Sequence, residues 1–210
     1  MGLDNELDGT VVVSLEQAVA APYCGLLLAD AGARVIKIER TDGGDFARHY
    51  DSRARGLSSH FVWTNRSKES LTLDLKQAAG LNVLNTLLST ADVFIQNLAP
   101  GAATKMGLDK QTLAARNPKL IVCDISGYGS SGPPSSRKAY DLLIQAEAGF
   151  LGITGTQAQG AKSGISIADI ATGTQAHAAI LTALIQRGTT GVGSHIEISM
   201  LEAMAEWMGY

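Results

Sequence analysis

One aspartate lies in a setting suited to covalent chemistry: Asp169, in the segment GISIADIATGTQAHAA. A carboxylate flanked by apolar residues can act as a nucleophile and carry a group through a covalent intermediate. An aspartate near Thr172, at the start of an alanine-rich helix, is also, and more commonly, a helix N-cap. The residue types alone leave these two interpretations open.

The elements that must position Asp169 follow from an alternation along the chain. Short β-branched runs are separated by longer helical patterns, which predicts an α/β fold: a Rossmann-like parallel sheet with helical crossovers. The β-branched runs are VVVSL (11–15), RVIKIE (34–39), DVFIQN (92–97), LIVCDISGYG (120–129) and HIEISM (195–200). Between the first two runs, Pro22 marks the head of a helix and Gly32 lies just past its end.

Two helices and two long loops complete this organisation. Residues 76–91 place leucines three and four apart on one face, and residues 172–187 form a long helical pattern before the last strand. The stretches 40–68 and 127–138 are rich in Gly, Ser and charged residues and lack a clear period. Loops of this length in compact domains often carry function.

A parallel sheet binds its ligand beyond the carboxyl ends of its strands. No GxGxxG motif follows the first strand, so dinucleotide binding of the usual kind is disfavoured. The residues at the predicted strand ends are mostly polar, and we expect them to cluster. They are Glu16, Gln17, Glu39, Arg40, Asn97, Leu98 and Ser126 to Tyr128.

Composition narrows the classes of partner. The 210 residues carry a net charge of −3 with scattered basic residues, so neither nucleic acid nor an anionic membrane is an expected partner. Cys24 and Cys123 lie far apart without a CxxC pattern, so neither a disulfide framework nor a metal site is expected. The acidic start and the lack of a long apolar run predict a soluble, cytoplasmic protein.

The order of several motifs resembles the family III CoA-transferases, the group of formyl-CoA transferase and the carnitine CoA-transferases. The motifs are LDGTVVVSLEQAVAAPYCGLLLADAGARVIKIER, GGDFAR, NRSKESLTLDLK, NLAPGAATKMG, ISGYGSSGP, KAYDLLIQAEAG, SIADIATG and GVGSHIEISMLEA. This resemblance implies that Asp169 is the nucleophile, which forms an aspartyl mixed anhydride with an acyl group from acyl-CoA. It favours the catalytic interpretation of Asp169 over the N-cap.

The resemblance also implies a CoA site, with acyl-CoA as substrate and no metal. Arg40 matches a basic residue that the family uses near the CoA nucleotide, although an exposed strand end is the alternative for it. Lys76 and Lys105 would contact phosphates or be solvated. Other matching positions line the family's CoA and acyl-group cleft: Gln17, Asn97, Leu98, Lys138 and Tyr140.

Tyr140 separates two activities within the resemblance. The α-methylacyl-CoA racemases share the fold but carry a histidine before the aspartate of an HDxxY motif, where this chain has Tyr140 and Asp141. The four histidines are interpreted as surface or packing residues rather than bases. CoA transfer to carboxylates is therefore the first hypothesis; a racemase-like isomerase and an inactive CoA-binding fragment are the alternatives.

The resemblance sets further expectations for organisation and substrate. Residues 1–195 would form a CoA-binding large domain, and residues 196–210 would begin the connection to a smaller second domain. Family members form interlocked homodimers, which we expect for the full-length protein. Arginines in the segment 44–70 (GDFARHYDSRARGLSSHFVWTNRSKES) would pair with a distal carboxylate of a short dicarboxylyl-CoA such as mesaconyl-CoA.

Overall fold

The computed structural model describes residues 5–209, apart from the side chains of residues 133 and 134. In this range a six-stranded sheet runs through the centre of the protein, and each neighbouring pair of strands is parallel. The strands are β1 (Val11–Leu15), β2 (Arg34–Glu39), β3 (Lys68–Thr72), β4 (Val93–Gln96), β5 (Ile121–Ser126) and β6 (His195–Ser199). Their order is β3-β2-β1-β4-β5-β6, so the predicted α/β, Rossmann-like parallel sheet is confirmed.

Helices connect the strands. They are α1 (Ala20–Asp30), α2 (Ser59–Asn65), α3 (Ala78–Leu88), α4 (Ala102–Lys105), α5 (Lys110–Arg116), α6 (Asp141–Glu147), α7 (Phe150–Ile153), α8 (Ile167–Thr190) and α9 (Met200–Trp207). The predicted loops contain 3₁₀ turns at Phe46–His49 and Pro133–Ser136. None of the described helices is long and apolar enough to cross a membrane.

The β-branched runs predict five of these strands and miss β3. Its sequence, KESLT, is mostly polar, because β3 is an edge strand whose side chains remain largely accessible. Edge strands of this kind often carry charged side chains that discourage pairing with other chains. The prediction of an irregular stretch over 40–68 was therefore wrong for α2 and for the start of β3.

Apolar side chains cover both faces of the sheet. On one face, Val12 and its neighbours pack against α1 and α8; on the other face, Val13 and its neighbours pack against α3 and α5. The alternation of adjacent residues between faces follows from the two-residue period of a strand. A third cluster, around Ile144, Ala168 and Met204, joins α6, the start of α8 and α9.

The helices α1 and α8 approach each other closely at Gly173. A Cβ atom at this buried position would lie 2.7 Å from the backbone oxygen of Ala20 and 3.0 Å from the ring of Tyr23. Glycine therefore allows the first turn of α1 to lie directly against α8. Asp169 is four residues before Gly173, on the same face of α8, so this contact also brings α1 towards Asp169.

The predicted division into residues 1–195 and 196–210 stays a prediction. Strand β6, which begins at His195 and pairs with β5, continues across that boundary to Ser199, and α9 follows it directly. Residues 1–4 and Tyr210, which the predicted boundaries include, lie outside the described residues.

The close approach at Gly173 predicts opposite effects for two substitutions in one helix. Gly173→Ala should destabilise the protein by about 1–3 kcal/mol, since the added methyl group meets backbone atoms that cannot move aside cheaply. Gly188→Ala is the matched control: nothing lies within 4 Å of its Cβ position, so alanine should stabilise α8 by up to about 1 kcal/mol. Denaturant unfolding measures both changes, and equal effects of the two variants would contradict the proposed contact.

Candidate active site

The strand order reverses between β1 and β4, where doubly wound sheets form their ligand crevice. The loops that leave these two strands bind each other. The backbone N–H of Gln17 donates to Oδ1 of Asn97 at 2.9 Å, and Nδ2 of Asn97 donates to the backbone oxygen of Gln17 at 2.9 Å. One asparagine side chain therefore fixes the loop that leads from β1 into α1.

This loop contains a residue in an unfavourable backbone conformation. Ala18 has a φ of 66°, in the left-handed region that side chains other than glycine rarely adopt. Its N–H donates to Oδ1 of Asp45 at 3.1 Å. Non-glycine residues persist in such conformations where the surrounding structure holds them, often at functional sites.

A cleft of about 1270 Å³ opens at this edge of the sheet. This volume lies above the roughly 300–1,000 Å³ typical of small-molecule sites. The β1–α1 loop, the loop after β4, the loop between β5 and α6, and the first turn of α8 contribute to its walls. Asp169 is among the residues that line it.

Asp169 is the third residue of α8, not the residue that caps it. Ser166 occupies the N-cap position, so the N-cap interpretation of Asp169 was wrong. The cap is supplied by a distant residue instead: Oδ1 of Asp141 accepts hydrogen bonds from the N–H of Ala168 at 2.8 Å and the N–H of Asp169 at 3.3 Å. A carboxylate at this end of α8 is also favoured by the helix dipole.

The capping carboxylate is itself held in place. Nε2 of the buried Gln145 donates to Oδ2 of Asp141, and Oε1 of Gln145 accepts from the N–H of Ser163. Gln145 thus links α6 to the segment that enters α8. The side chains of Asp141 and Gln145 together fix the first turn of α8, and hence the backbone that carries Asp169.

The surroundings of Asp169 oppose its charged form. Burial raises its pKa to about 7, and the nearby carboxylate of Asp141 adds to the shift, while the backbone N–H of Ala20 acts in the opposite direction. A carboxylate with this pKa titrates near neutral pH and is a stronger nucleophile than an exposed aspartate.

Aromatic side chains form one wall of the cleft beside Asp169. Burial raises the pKa of Tyr50 to about 12, with further contributions from Asp45, Asp169 and Tyr140. The ring of Tyr50 lies 5.8 Å from that of Phe46 and 5.6 Å from that of His60. This wall restricts water near Asp169 and offers apolar surface to a ligand.

The structure brings together most of the residues predicted for the site. Those that line one cleft with Asp169 are Gln17, Asn97, Leu98, Lys138 and Tyr140. The side chain of Tyr140 is 64% exposed, so it is free to meet a ligand. Their predicted contacts with CoA remain predictions.

Three residues that were predicted to contact the nucleotide or phosphates of CoA do not line this cleft. Arg40 is half-exposed and donates from Nε and Nη2 to the backbone oxygen of Gly44, at 3.1 and 3.0 Å. Lys76 and Lys105 are exposed. In the described structure these three residues are therefore not part of the cleft around Asp169, and their predicted roles remain untested.

Arginines of the segment 44–70 were also expected near a substrate carboxylate. In the described structure none of them lines the cleft. Arg48 binds the carboxylate of Glu39 through two hydrogen bonds, of 2.7 and 2.9 Å, and lies over the ring of Phe61. Lys138 and Lys162 are cations that line the cleft.

Sequence reasoning missed two contributors to the site, Asp141 and Tyr50. Asp141 follows Tyr140 in the HDxxY-like position, a signal that marks it but does not reveal its role as a cap for another helix. Tyr50 lies in the stretch without a period, and no local pattern singles it out. Within the described residues, no group of three or more His, Cys, Asp or Glu side chains is placed to hold a metal ion.

The strand order and the carboxylate in the crevice define a Rossmann-like α/β protein with a candidate nucleophile. A family model described as CoA-transferase family III matches residues 7–210. The chain therefore belongs to CoA-transferase family III.

Curated relatives and solved structures agree with this assignment. The chain is 39% identical over 207 residues to a succinate–glutarate CoA-transferase of Agrobacterium fabrum, covering 95% of this chain and 52% of that relative. It is 34% identical to a human succinyl-CoA:glutarate CoA-transferase, over 97% of this chain and 47% of that relative. A CAIB/BAIF family protein from Brucella suis matches with a TM-score of 0.93 at 37% identity, over 98% of this chain and 56% of that structure. The chain spans about half the length of the curated relatives it matches.

The raised pKa of Asp169 predicts a pH-dependent gain from Asp169→Asn. An acid whose pKa is higher in the folded than in the unfolded state loses stability as the pH rises from its ordinary value, 3.8, to about 7. Asparagine cannot ionise, so its advantage in Tm over the wild type should grow between pH 5 and pH 8. A growth of about 1 kcal/mol would appear as about 2–4 °C.

Calorimetric or fluorescence-detected melting of the 210-residue chain measures this difference at both pH values. The variant Asp8→Asn, at an exposed position, shows what the loss of any one carboxylate does under the same conditions. An advantage of Asp169→Asn that is the same at pH 5 and pH 8 would contradict the raised pKa.

Proposed function

We propose that the protein transfers CoA between carboxylic acids and that Asp169 carries the acyl group. The observation that carries the proposal is the position of Asp169 in the wall of the cleft, in the first turn of a capped helix and beside an aromatic wall. Membership of CoA-transferase family III supports the reaction class.

The proposed reaction proceeds through four successive nucleophilic attacks. The Asp169 carboxylate attacks the thioester carbonyl of acyl-CoA, the carbon–sulfur bond breaks, and CoA leaves as its thiolate from a mixed anhydride. The thiolate attacks the aspartyl carbonyl, which frees the donor carboxylate and leaves an aspartyl-CoA thioester. The acceptor carboxylate attacks this thioester, and the released thiolate then attacks the acceptor carbonyl. Asp169 returns as a carboxylate.

Each addition creates an oxyanion that needs positioned donors. The N–H groups of Ala168 and Asp169 are already engaged by Asp141, so they are poor candidates. The start of α1 has no side-chain cap, and the N–H of Ala20 already influences the Asp169 carboxylate. We therefore propose the N–H groups of Ala20 and Ala21, which precede Pro22 at the start of α1, rather than those of α8, as oxyanion donors.

Short dicarboxylates are the proposed acyl groups. The similar proteins of Agrobacterium fabrum and human are named for succinate or succinyl-CoA and glutarate. Lys138 and Lys162 line the cleft and could pair with the distal carboxylate of a C4 or C5 diacid. Mesaconyl-CoA, an unsaturated diacid ester, remains one candidate within this class.

A racemase-like isomerase is the alternative activity. Tyr140 stands where a racemase would need an imidazole. His60 and His195 line the cleft and are hydrogen-bonded to the carboxylates of Asp51 and Asp124, respectively; their interpretation as surface or packing residues rather than bases stays a prediction. We therefore propose CoA transfer as the activity of the protein and a cytoplasmic homodimer as its assembly.

Replacing Asp169 should remove CoA transfer while CoA binding persists. With protein expressed from the complete gene, Asp169→Asn and Asp169→Ala should lower kcat by at least about 1,000-fold, because neither side chain can form the anhydride. Thioester exchange measures transfer, and calorimetry measures CoA binding as the control. Hydroxylamine should convert Asp169 to its hydroxamate only when acyl-CoA is present. Substantial transfer by Asp169→Ala would refute the assignment.

The same protein should not exchange the α-proton of its substrate. Tyrosine, with an ordinary pKa of about 10, is a poor base at neutral pH. A 2-methylacyl-CoA incubated in D₂O should therefore acquire no deuterium at its α-carbon over many turnovers of CoA transfer, as followed by mass spectrometry. Rapid exchange that survives Tyr140→Phe and disappears with Asp169→Ala would instead favour an isomerase.

A further inference from the structure

A cluster of buried charges lies next to the β1–α1 loop. Three carboxylates and three cations form it, and it is neutral overall: Glu16, Glu39, Asp45, Lys37, Arg48 and Lys68. The side chains of Lys37, in β2, and Asp45 are at most 1% exposed, and 2.6 Å separates Nζ of Lys37 from Oδ2 of Asp45. None of the six lines the cleft around Asp169.

Such a cluster requires an explanation, because buried ion pairs lose much of their attraction to desolvation. Apolar residues of similar volume would fill the same space at least as favourably. Groups of this kind are retained in some proteins because they specify one conformation. The question is then which conformation these charges specify.

Asp45 connects the cluster to the strained loop. Its Oδ2 binds Lys37, while its Oδ1 accepts hydrogen bonds from the N–H of Ala18 at 3.1 Å and the N–H of Ala47 at 2.9 Å. Ala18 is the loop residue with a φ of 66°. A hydrogen bond from its N–H to a fixed, buried carboxylate is one way to hold a non-glycine residue in that conformation.

The backbone conformation of Ala18 affects two nearby residues of the site, Gln17 and Ala20. Gln17 precedes it and is fixed by Asn97, and Ala20 follows two residues later with an N–H that acts on Asp169. Rotation of Ala18 to an ordinary φ would turn the start of α1 away from this arrangement. The loop is thus held at two points, by Asn97 and by Asp45.

We infer that Asp45, anchored by Lys37, is a positioning residue that holds Ala18 in its left-handed conformation and so fixes the Gln17–Ala20 loop against Asp169. The part of this inference that concerns turnover rests on the proposed CoA transfer. The part that concerns the loop rests on the hydrogen bond of Asp45 with Ala18 alone.

Three variants separate the hydrogen bond from the charge. Asp45→Ala removes both. Asp45→Asn keeps an acceptor at Oδ1 for Ala18 but turns an amide NH2 group towards Lys37, so it weakens the anchor; Lys37 retains Oδ1 of Asn65 at 2.8 Å and the carboxylate of Glu16. Asp45→Ala combined with Ala18→Gly supplies a residue that adopts positive φ without strain. Glu69→Ala, which breaks an exposed ion pair with Arg34, is the matched control.

The first readout is amide hydrogen exchange at residue 18, measured by NMR on the 210-residue chain, which needs no activity. Asp45→Ala should speed exchange at Ala18 by about tenfold or more, Asp45→Asn by less than Asp45→Ala, and Glu69→Ala by less than about threefold. Unchanged exchange at Ala18 in Asp45→Ala overturns the inference. If Asp45→Ala does not fold, Asp45→Asn decides: exchange at residue 18 that is faster than in Glu69→Ala supports the inference, and wild-type exchange overturns it.

The second readout is steady-state kinetics of the protein expressed from the complete gene. Asp45→Ala should lower kcat by about 10- to 100-fold, since small misplacements at a reacting centre are costly, and leave the KM for acyl-CoA within about threefold. Adding Ala18→Gly should recover part of kcat. A loss in Asp45→Asn equal to that in Asp45→Ala overturns the inference. A wild-type protein without transfer activity refutes the proposed function instead, and the exchange result still decides the role of Asp45.

Discussion

The contact between α1 and α8 is the constraint on which the site depends. Gly173 lets the backbone of α1 lie against α8, and this places the uncapped start of α1 beside the first turn that carries Asp169. The two helices come from opposite ends of the chain, and both pack on the same face of the sheet. Asp169 and the backbone N–H of Ala20 therefore belong to one packed unit rather than to two mobile loops, which favours preorganisation.

Asp141 has two opposed effects on Asp169, and the combination suits a nucleophile. By capping α8 it stabilises the helix turn that carries Asp169, and by its negative charge it raises the pKa of Asp169. The protein gives up stability to hold two carboxylates near each other, as sites with perturbed titration commonly do. In the proposed mechanism, an acyl group that reacts with Asp169 would remove one of these charges and so relieve this repulsion.

Local sequence patterns predicted the sheet well and the site less well. The strands β1 and β2 follow from β-branched runs, because central strands of a parallel sheet are buried on both faces. Edge strand β3 lacks that signal. Asp169 could be recognised only through resemblance, since its residue type and neighbours suit an N-cap equally. The roles of Asp45 and Asp141 depend on hydrogen bonds with residues 27 positions away in sequence, Ala18 and Ala168 respectively. No local sequence pattern encodes such contacts.

The polar residues at the strand ends include a buried set and a cleft-lining set, and after β1 the division follows the two-residue period of a strand. Glu16 turns inward, where it meets Lys68 and the other buried charges, whereas the next residue, Gln17, lies at the cleft. The carboxyl edge of the sheet thus carries both side chains that line the cleft and side chains that belong to the cluster of buried charges. Asp45 belongs to the cluster of buried charges and accepts a hydrogen bond from the N–H of Ala18, which lines the cleft. The cluster and the cleft are therefore directly connected. A single-residue shift of β1 would exchange the two sets, so the register of β1 governs the site as well as the core.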